Sequence, residues 1–181
     1  MDGTDFLCQP PSDGDEFRSW YSHKLKRPAV RYKIGVAIQS GDIVWVNGPW
    51  RAGRYPDITI FREGGLKDKL LEEEERAEAD LGYCGEPKTI DLPGEGPVHF
   101  ILAKKRAQMR HKTCNRRFKN WGCLNTNFRH GVDVHRDCMY AITVLTQFAI
   151  ENGEPLFGAA FRRCHNSSNE LHIMNYCEHI V

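Results

Sequence analysis

Between Glu95 and Asp133 the sequence contains no Asp or Glu. No carboxylate from that stretch can serve as a base or a metal ligand. Other absences narrow the class further. No two of the seven cysteines are spaced Cys-x-x-Cys and the count is odd, which argues against a disulfide framework. No apolar segment of signal type opens the chain, so the sequence points to a reducing compartment. In that setting Asn166-Ser167-Ser168 is a chance match to a glycosylation acceptor. The longest apolar run, "AITVLTQFAI", is short and broken by Thr and Gln. It suits a buried helix and not a membrane span. What is left is one globular domain of 181 residues, long enough for a real core.

The formal net charge of +1 hides an uneven distribution. The stretch without acids holds Lys104, Lys105, Arg106, Arg110, Lys112, Arg116, Arg117, Lys119 and Arg129, while acids gather in "LLEEEERAEAD". A basic face of this kind suits phosphate; its plain alternative is a solvated helix face. Lys105, Arg110, Arg116, Arg117 and Lys119 are the candidates for contact with DNA. Phe118 stands a helical step from Cys114 and Trp121, a spacing that predicts a core position over a base-stacking platform. Near the end, Cys164, His165, His172, Cys177 and His179 are zinc-ligand types without a finger spacing. The alternative there is a polar, disordered tail.

Along the chain, residues 8–28 are rich in Pro, Gly, Ser and charge and read as loop. "RYKIGVAIQSGDIVWVNG" alternates, with Tyr32, Ile34, Val36 and Ile38 on one face, and predicts a hairpin with strands near 30–39 and 42–47. "PDITIFREGGLKDKLLEEEE" predicts a helix weakened at Gly64-Gly65. "ERAEADLGYCGEP" predicts a short strand ending near Asp80 and then a turn. Residues 87–98 read as loop, 101–120 as a long helix. "RDCMYAITVLTQFAIENG" reads as a second helix with an apolar stripe of Cys138, Ala141, Ile142, Leu145, Phe148 and Ala149, stopped by Asn152-Gly153. The order predicts an α/β fold, a mixed sheet with helices packed on it.

Three acids stand at element ends: Asp2, Asp57 and Asp80. Strand-end carboxylates of an α/β sheet lie where ligands bind. Brought together, they make a hard oxygen site for Mg²⁺ or Mn²⁺, which can activate water for phosphodiester cleavage. Each also has a plain reading: a terminal residue for Asp2, a helix N-cap for Asp57, and a turn-former for Asp80.

"DGTDF", "SGDIVWVNGPW", "PDITIF", "ADLGYCGE", "RHKTCNRRFKNWG" and "LTQFAIENGEPLF" occur in this order. Together they resemble the DDE superfamily endonucleases of the Harbinger and insertion-sequence transposase type, over roughly residues 1–157, with 158–181 as a polar tail. The resemblance implies an RNase H-like mixed sheet flanked by helices, a DNA substrate, and a divalent cofactor, Mg²⁺ or Mn²⁺. It assigns metal binding to Asp2, Asp57 and Asp80, and catalysis to Asp2 and Asp80. It also implies a nuclear location (cytoplasmic for a relic or a prokaryotic protein), no membrane, and a homo-oligomer as a possible assembly.

Two departures stand out. The family's last acid is a Glu in a block like "R-H-E-T-x-N-x-R-F-K"; this sequence has Lys112 there, and Gln108 where an Arg is usual. At an effective dielectric near 20, unit charges about 4 Å apart interact by about 4 kcal/mol. Replacing a carboxylate by an ammonium beside a divalent ion therefore weakens or abolishes one metal position, even though Lys can swing outward. Second, only Met1 precedes Asp2, so the first strand is expected to be largely missing and the family domain truncated at its N-terminus. The expectation is an endonuclease-like domain with an incomplete acidic site. The alternatives are a non-catalytic DNA-binding or interaction protein, or a non-functional remnant.

Overall fold

The computed structural model describes residues 1–10, 17–92, 94 and 98–156. Three long strands carry the sheet: β1 (Asp2–Leu7) on one side of β3 (Arg27–Val36) and β4 (Ile43–Arg51) on the other, both antiparallel to it. Short β2 (Tyr21–Ser22), which follows α1 (Phe17–Trp20), pairs with the start of β3. The predicted hairpin is present: β3 has the expected length but lies three residues earlier, and β4 runs on to Arg51.

β1 corrects the expectation of a largely missing first strand. Its six residues pair with β3 from Asp2↔Ile34 to Leu7↔Ala29. "DGTDFL" is poor in strand formers. Even so, Thr4 and Phe6, each 1% exposed, point into the core, and that burial outweighs local preference. Asp2 opens this strand; it does not close one.

Side chains alternate across a sheet, and both faces of β3 are covered. One face carries Phe6, Val30, Tyr32 and Ile34, which pack with Phe118 of α4 (Val98–Lys119) and with Met139 and Ile142 of α6 (Val132–Glu151). The other face looks toward a second cluster built on Phe61 of α2 (Asp57–Glu63), Leu66 and Leu70 of α3 (Leu66–Glu72), and Tyr83. The helix predicted across Gly64-Gly65 is two helices. Gly65 adopts φ +82, and a Cβ on Gly64 would fall 2.5 Å from the Ile60 carbonyl oxygen.

After α3 the chain forms β5 (Ala77–Glu78), a 3₁₀ turn at Leu81–Tyr83, and β6 (Ile90–Asp91), which pairs parallel with β5. β6 lies in the segment expected to be loop. Between α4 and α6, Gly122–Asn125 forms the single turn α5.

α6 buries a different face from the one expected. His135, Met139, Ile142, Thr146 and Ile150 point inward, while Leu145 is 49% and Phe148 63% exposed. The helix has two apolar faces, and the inward one includes His135 and Thr146, which a purely apolar stripe omits. Phe118 is fully buried, as its helical spacing predicts. Among the described residues, no helix is long and apolar enough to cross a membrane. The Cys/His cluster of the tail and the Asn166 motif lie outside the described residues.

Candidate active site

A cleft of about 1400 Å³ opens beside the N-terminal end of β1. Asp2, Glu78, Asp80, Gln108, His111 and Lys112 are among its lining residues. It brings two of the three expected acids to one place. Asp2 is half-buried; its carboxylate accepts from the Gly3 N–H at 2.7 Å and from Asn115 Nδ2 on α4 at 3.1 Å. Asp80 is exposed and caps the 3₁₀ turn, accepting from the Gly82 N–H at 2.9 Å. The turn-forming role expected of it is therefore real, and it leaves the rest of the carboxylate facing the cleft.

Asp57 is placed differently. It begins α2 but is not its N-cap: Pro56 holds that position, and no side chain caps the helix. Instead its Oδ1 lies 2.6 Å from the ammonium of Lys33 and 3.0 Å from Arg31 Nη1. Lys33 is fully buried. Its Nζ sits 4.9 Å from the centroid of the Tyr83 ring and fills the space where a Cβ on Gly3 would be, 2.5 Å away. Nζ has no partner with full hydrogen-bond geometry, so the approach to Asp57 is a close charge pair at a poor angle. Burial pulls the Lys33 pKa below its ordinary value, against the opposing pull of Asp57. Register accounts for the separation of the acids. Asp2 pairs with Ile34 and points to the α4 face, while Lys33, the partner of Gly3, points to the α2 face.

On the α4 side, Lys112 is exposed at the cleft wall, one residue after buried His111. The Nδ1 of His111 is buried without a partner. Desolvation first, then the positive charges of the chain's amino terminus and Arg110, hold its pKa well below the ordinary value. It is neutral at pH 7.

The residues expected to touch DNA divide into two groups. Lys105 and Arg116 are exposed on α4, as is Lys112. Arg110 turns inward, 4% exposed, and donates to the carbonyls of Ala37 and Ile38. Arg117 donates to the carbonyls of Glu154 and Pro155. Lys119 lies over the Phe6 ring at 5.8 Å, and burial lowers its pKa. Three of the five expected contacts are thus structural: these side chains tie α4 to the loop after β3, to the segment after α6, and to β1.

Sequence reasoning missed Lys33, Asn115 and His111. The alternation that puts Tyr32 and Ile34 inward puts Lys33 on the other face, which reads as solvent unless a second layer covers it. Phe61, Leu66 and Leu70 were the signal for that layer.

Whether these groups suit a divalent ion depends on the donor set. Asp2 and Asp80 offer hard carboxylate oxygens to one cleft. Lys112 adds an ammonium to the lining of the same cleft, and Asp57 is engaged by two cations. Among the described residues no group of three His, Cys, Asp or Glu side chains is arranged to hold a metal. The set fits one weak cation position and does not fit a three-acid centre.

A family model described as DDE superfamily endonuclease matches residues 1–147. No curated protein and no solved structure matches the chain.

Proposed function

The chain belongs to the DDE superfamily endonucleases, and from that premise we propose that it is a transposase-derived DNA endonuclease domain, of the Harbinger and insertion-sequence type, whose phosphodiester-cleaving site is impaired by Lys112. The observation that carries this reading is the shared cleft. Asp2 from the start of β1 and Asp80 after β5 line it together, and Lys112 of α4 stands on its wall where the family block has Glu. The antiparallel β1–β3–β4 sheet with α4 and α6 on one face supports an RNase H-like arrangement.

Endonucleases of this superfamily generally use divalent metals, and Asp2 and Asp80 would hold one Mg²⁺ or Mn²⁺ here. When bound, such an ion supplies electrostatic stabilisation at the phosphate and a more acidic water. The chain's own residues do the positioning. Asn115 orients Asp2, the Gly82 amide orients Asp80, and neutral His111 adds no charge to the cleft. Lys112 places a positive charge on the wall of the same cleft, so it opposes the ion while attracting the phosphate. Exposed Lys105 and Arg116 extend that attraction along α4, which supplies sequence-independent affinity. We propose DNA as its substrate and, for a eukaryotic chain that is not a relic, the nucleus as its location.

Nicking of supercoiled plasmid in Mn²⁺ tests the reading. The native chain should nick slowly or not at all, and Lys112→Glu should nick at least tenfold faster. A Lys112→Glu variant no faster than the native chain, with both folded, would overturn the role given to Lys112.

A further inference from the structure

The acid cluster already contains a cation. Lys33 is 0% exposed and its Nζ lies 2.6 Å from Asp57 Oδ1. Gly82 lies against the carboxylates of both Asp57 and Asp80. A Cβ at Gly82 would stand 3.0 Å from Asp80 Oδ1 and 3.7 Å from Asp57 Oδ2. Two glycines therefore keep this region open. Gly3 leaves room for the lysine head, and Gly82 leaves a gap flanked by two carboxylates. Any side chain at Gly3 would collide with the ammonium, and any at Gly82 would enter the gap.

We propose that the ammonium of Lys33 is the resident cation of this cluster, holding the carboxylate of Asp57 that a divalent ion would otherwise share with Asp80, so that Lys33 and the divalent ion compete. The inference rests on the reading of Asp2 and Asp80 as the cation-binding acids, and it adds a second obstacle to the one at Lys112. The physical argument is charge balance. A fully buried ammonium needs a counter-charge, and the half-buried carboxylate of Asp57 supplies it. Lys33 and Asp57 form a close charge pair, with Arg31 as a second cation on the same carboxylate, so the protein itself neutralises the charge of Asp57. An ion approaching Asp80 from the Gly82 side meets an Asp57 carboxylate already paired with a positive charge. In this chain the position behaves as an internal salt bridge first and as a cation site second.

The test is Mn²⁺ binding by titration calorimetry, together with thermal melting, on the full chain. Four proteins are compared: native, Lys33→Gln, Lys33→Gln/Asp57→Asn and Asp80→Asn. The native chain should bind Mn²⁺ weakly, and Asp80→Asn should abolish that binding. Lys33→Gln should bind at least tenfold tighter and melt lower than native without metal, with Mn²⁺ restoring much of the loss. Lys33→Gln/Asp57→Asn should return to weak binding, because the freed carboxylate is gone. Lys33→Gln with native-like Mn²⁺ affinity overturns the inference while leaving the Asp80 reading intact. Failure of Lys33→Gln to fold even in Mn²⁺ also overturns it, since the ion would then not replace the ammonium. Native binding that survives Asp80→Asn instead overturns the reading of the site itself.

Discussion

Asp2 and Asp5 stand three residues apart on the same strand and have opposite surroundings. Asp5 is 2% exposed and fully engaged: Ser22 Oγ donates to it at 2.6 Å, Arg31 Nε at 2.7 Å and Arg31 Nη2 at 3.0 Å. Asp2 is half-buried, accepts from the Gly3 amide and from Asn115, and faces the cleft. Burial pushes the Asp5 pKa up, but hydrogen bonds from Arg31 and Ser22 and the Arg31 charge outweigh it, and the net direction is down. Both acids belong to one "DGTD" motif, yet one holds the sheet together and the other lines the cleft. Three residues along a strand reverse the face, and the face decides whether a carboxylate meets an arginine or a cleft.

Removing each acid in turn is the strongest way to break this comparison. Asp5→Asn leaves Arg31 without its bidentate partner. It should cost about 3–5 kcal/mol in urea unfolding, the scale for breaking a buried pair. Asp2→Asn should cost about 1 kcal/mol or less, because its remaining partners can still bond an amide. Equal losses would erase the distinction.

Acid sharpens it. Burial lowers the pKa of core His135 from 6.5 to about 4, with the Tyr32 hydroxyl 2.9 Å from its Nδ1. Its folded pKa lies below its unfolded one, so its contribution is full above pH 6.5 and is lost as pH falls toward 4. At about 1.4 kcal/mol per unit, that loss is about 3 kcal/mol. Asp5 has the same sign at lower pH: its contribution is present above the unfolded carboxylate value and disappears as pH drops through its depressed folded value. Urea unfolding between pH 7 and 4.5 should show a falling free energy. His135→Leu should flatten that fall whatever it does at pH 7.

The basic helix allows a third comparison, with a smaller effect. Lys105→Ala and Arg116→Ala should each lower the slope of DNA affinity against log salt by about one, read by fluorescence anisotropy on duplex DNA. Arg110→Ala should leave the slope nearly unchanged while lowering stability, because its guanidinium serves the carbonyls of Ala37 and Ile38. Smallest of all is the outward face of α6, where Phe148→Ser should change monomer stability by no more than about 0.5 kcal/mol. Met139→Ala, on the inward face, should cost about 2–5 kcal/mol.

Much of this architecture was legible in the residues. Alternation around Tyr32 and Ile34 located the central hairpin, the 3.6-residue period placed Phe118 in the core, and the missing acids on α4 marked Lys112 as a departure. Three things were not legible. β1 has weak strand formers, and its existence depends on Thr4 and Phe6 meeting partners far along the chain. α6 offers two apolar faces, so period alone could not choose between Leu145 and Met139. The pairing of Lys33 with Asp57 depends on a second layer covering β3, a long-range fact that local pattern does not carry. Of the three acids singled out, Asp2 and Asp80 line one cleft, while Asp57 is paired with Lys33, whose face the sheet register sets.

The most direct test of the central claim is plasmid nicking in Mn²⁺ by Lys112→Glu, with and without Asp80→Asn in the same chain. The account predicts nicking by Lys112→Glu that Asp80→Asn abolishes. Nicking that persists without Asp80, or a folded Lys112→Glu chain that leaves the plasmid intact, would contradict it.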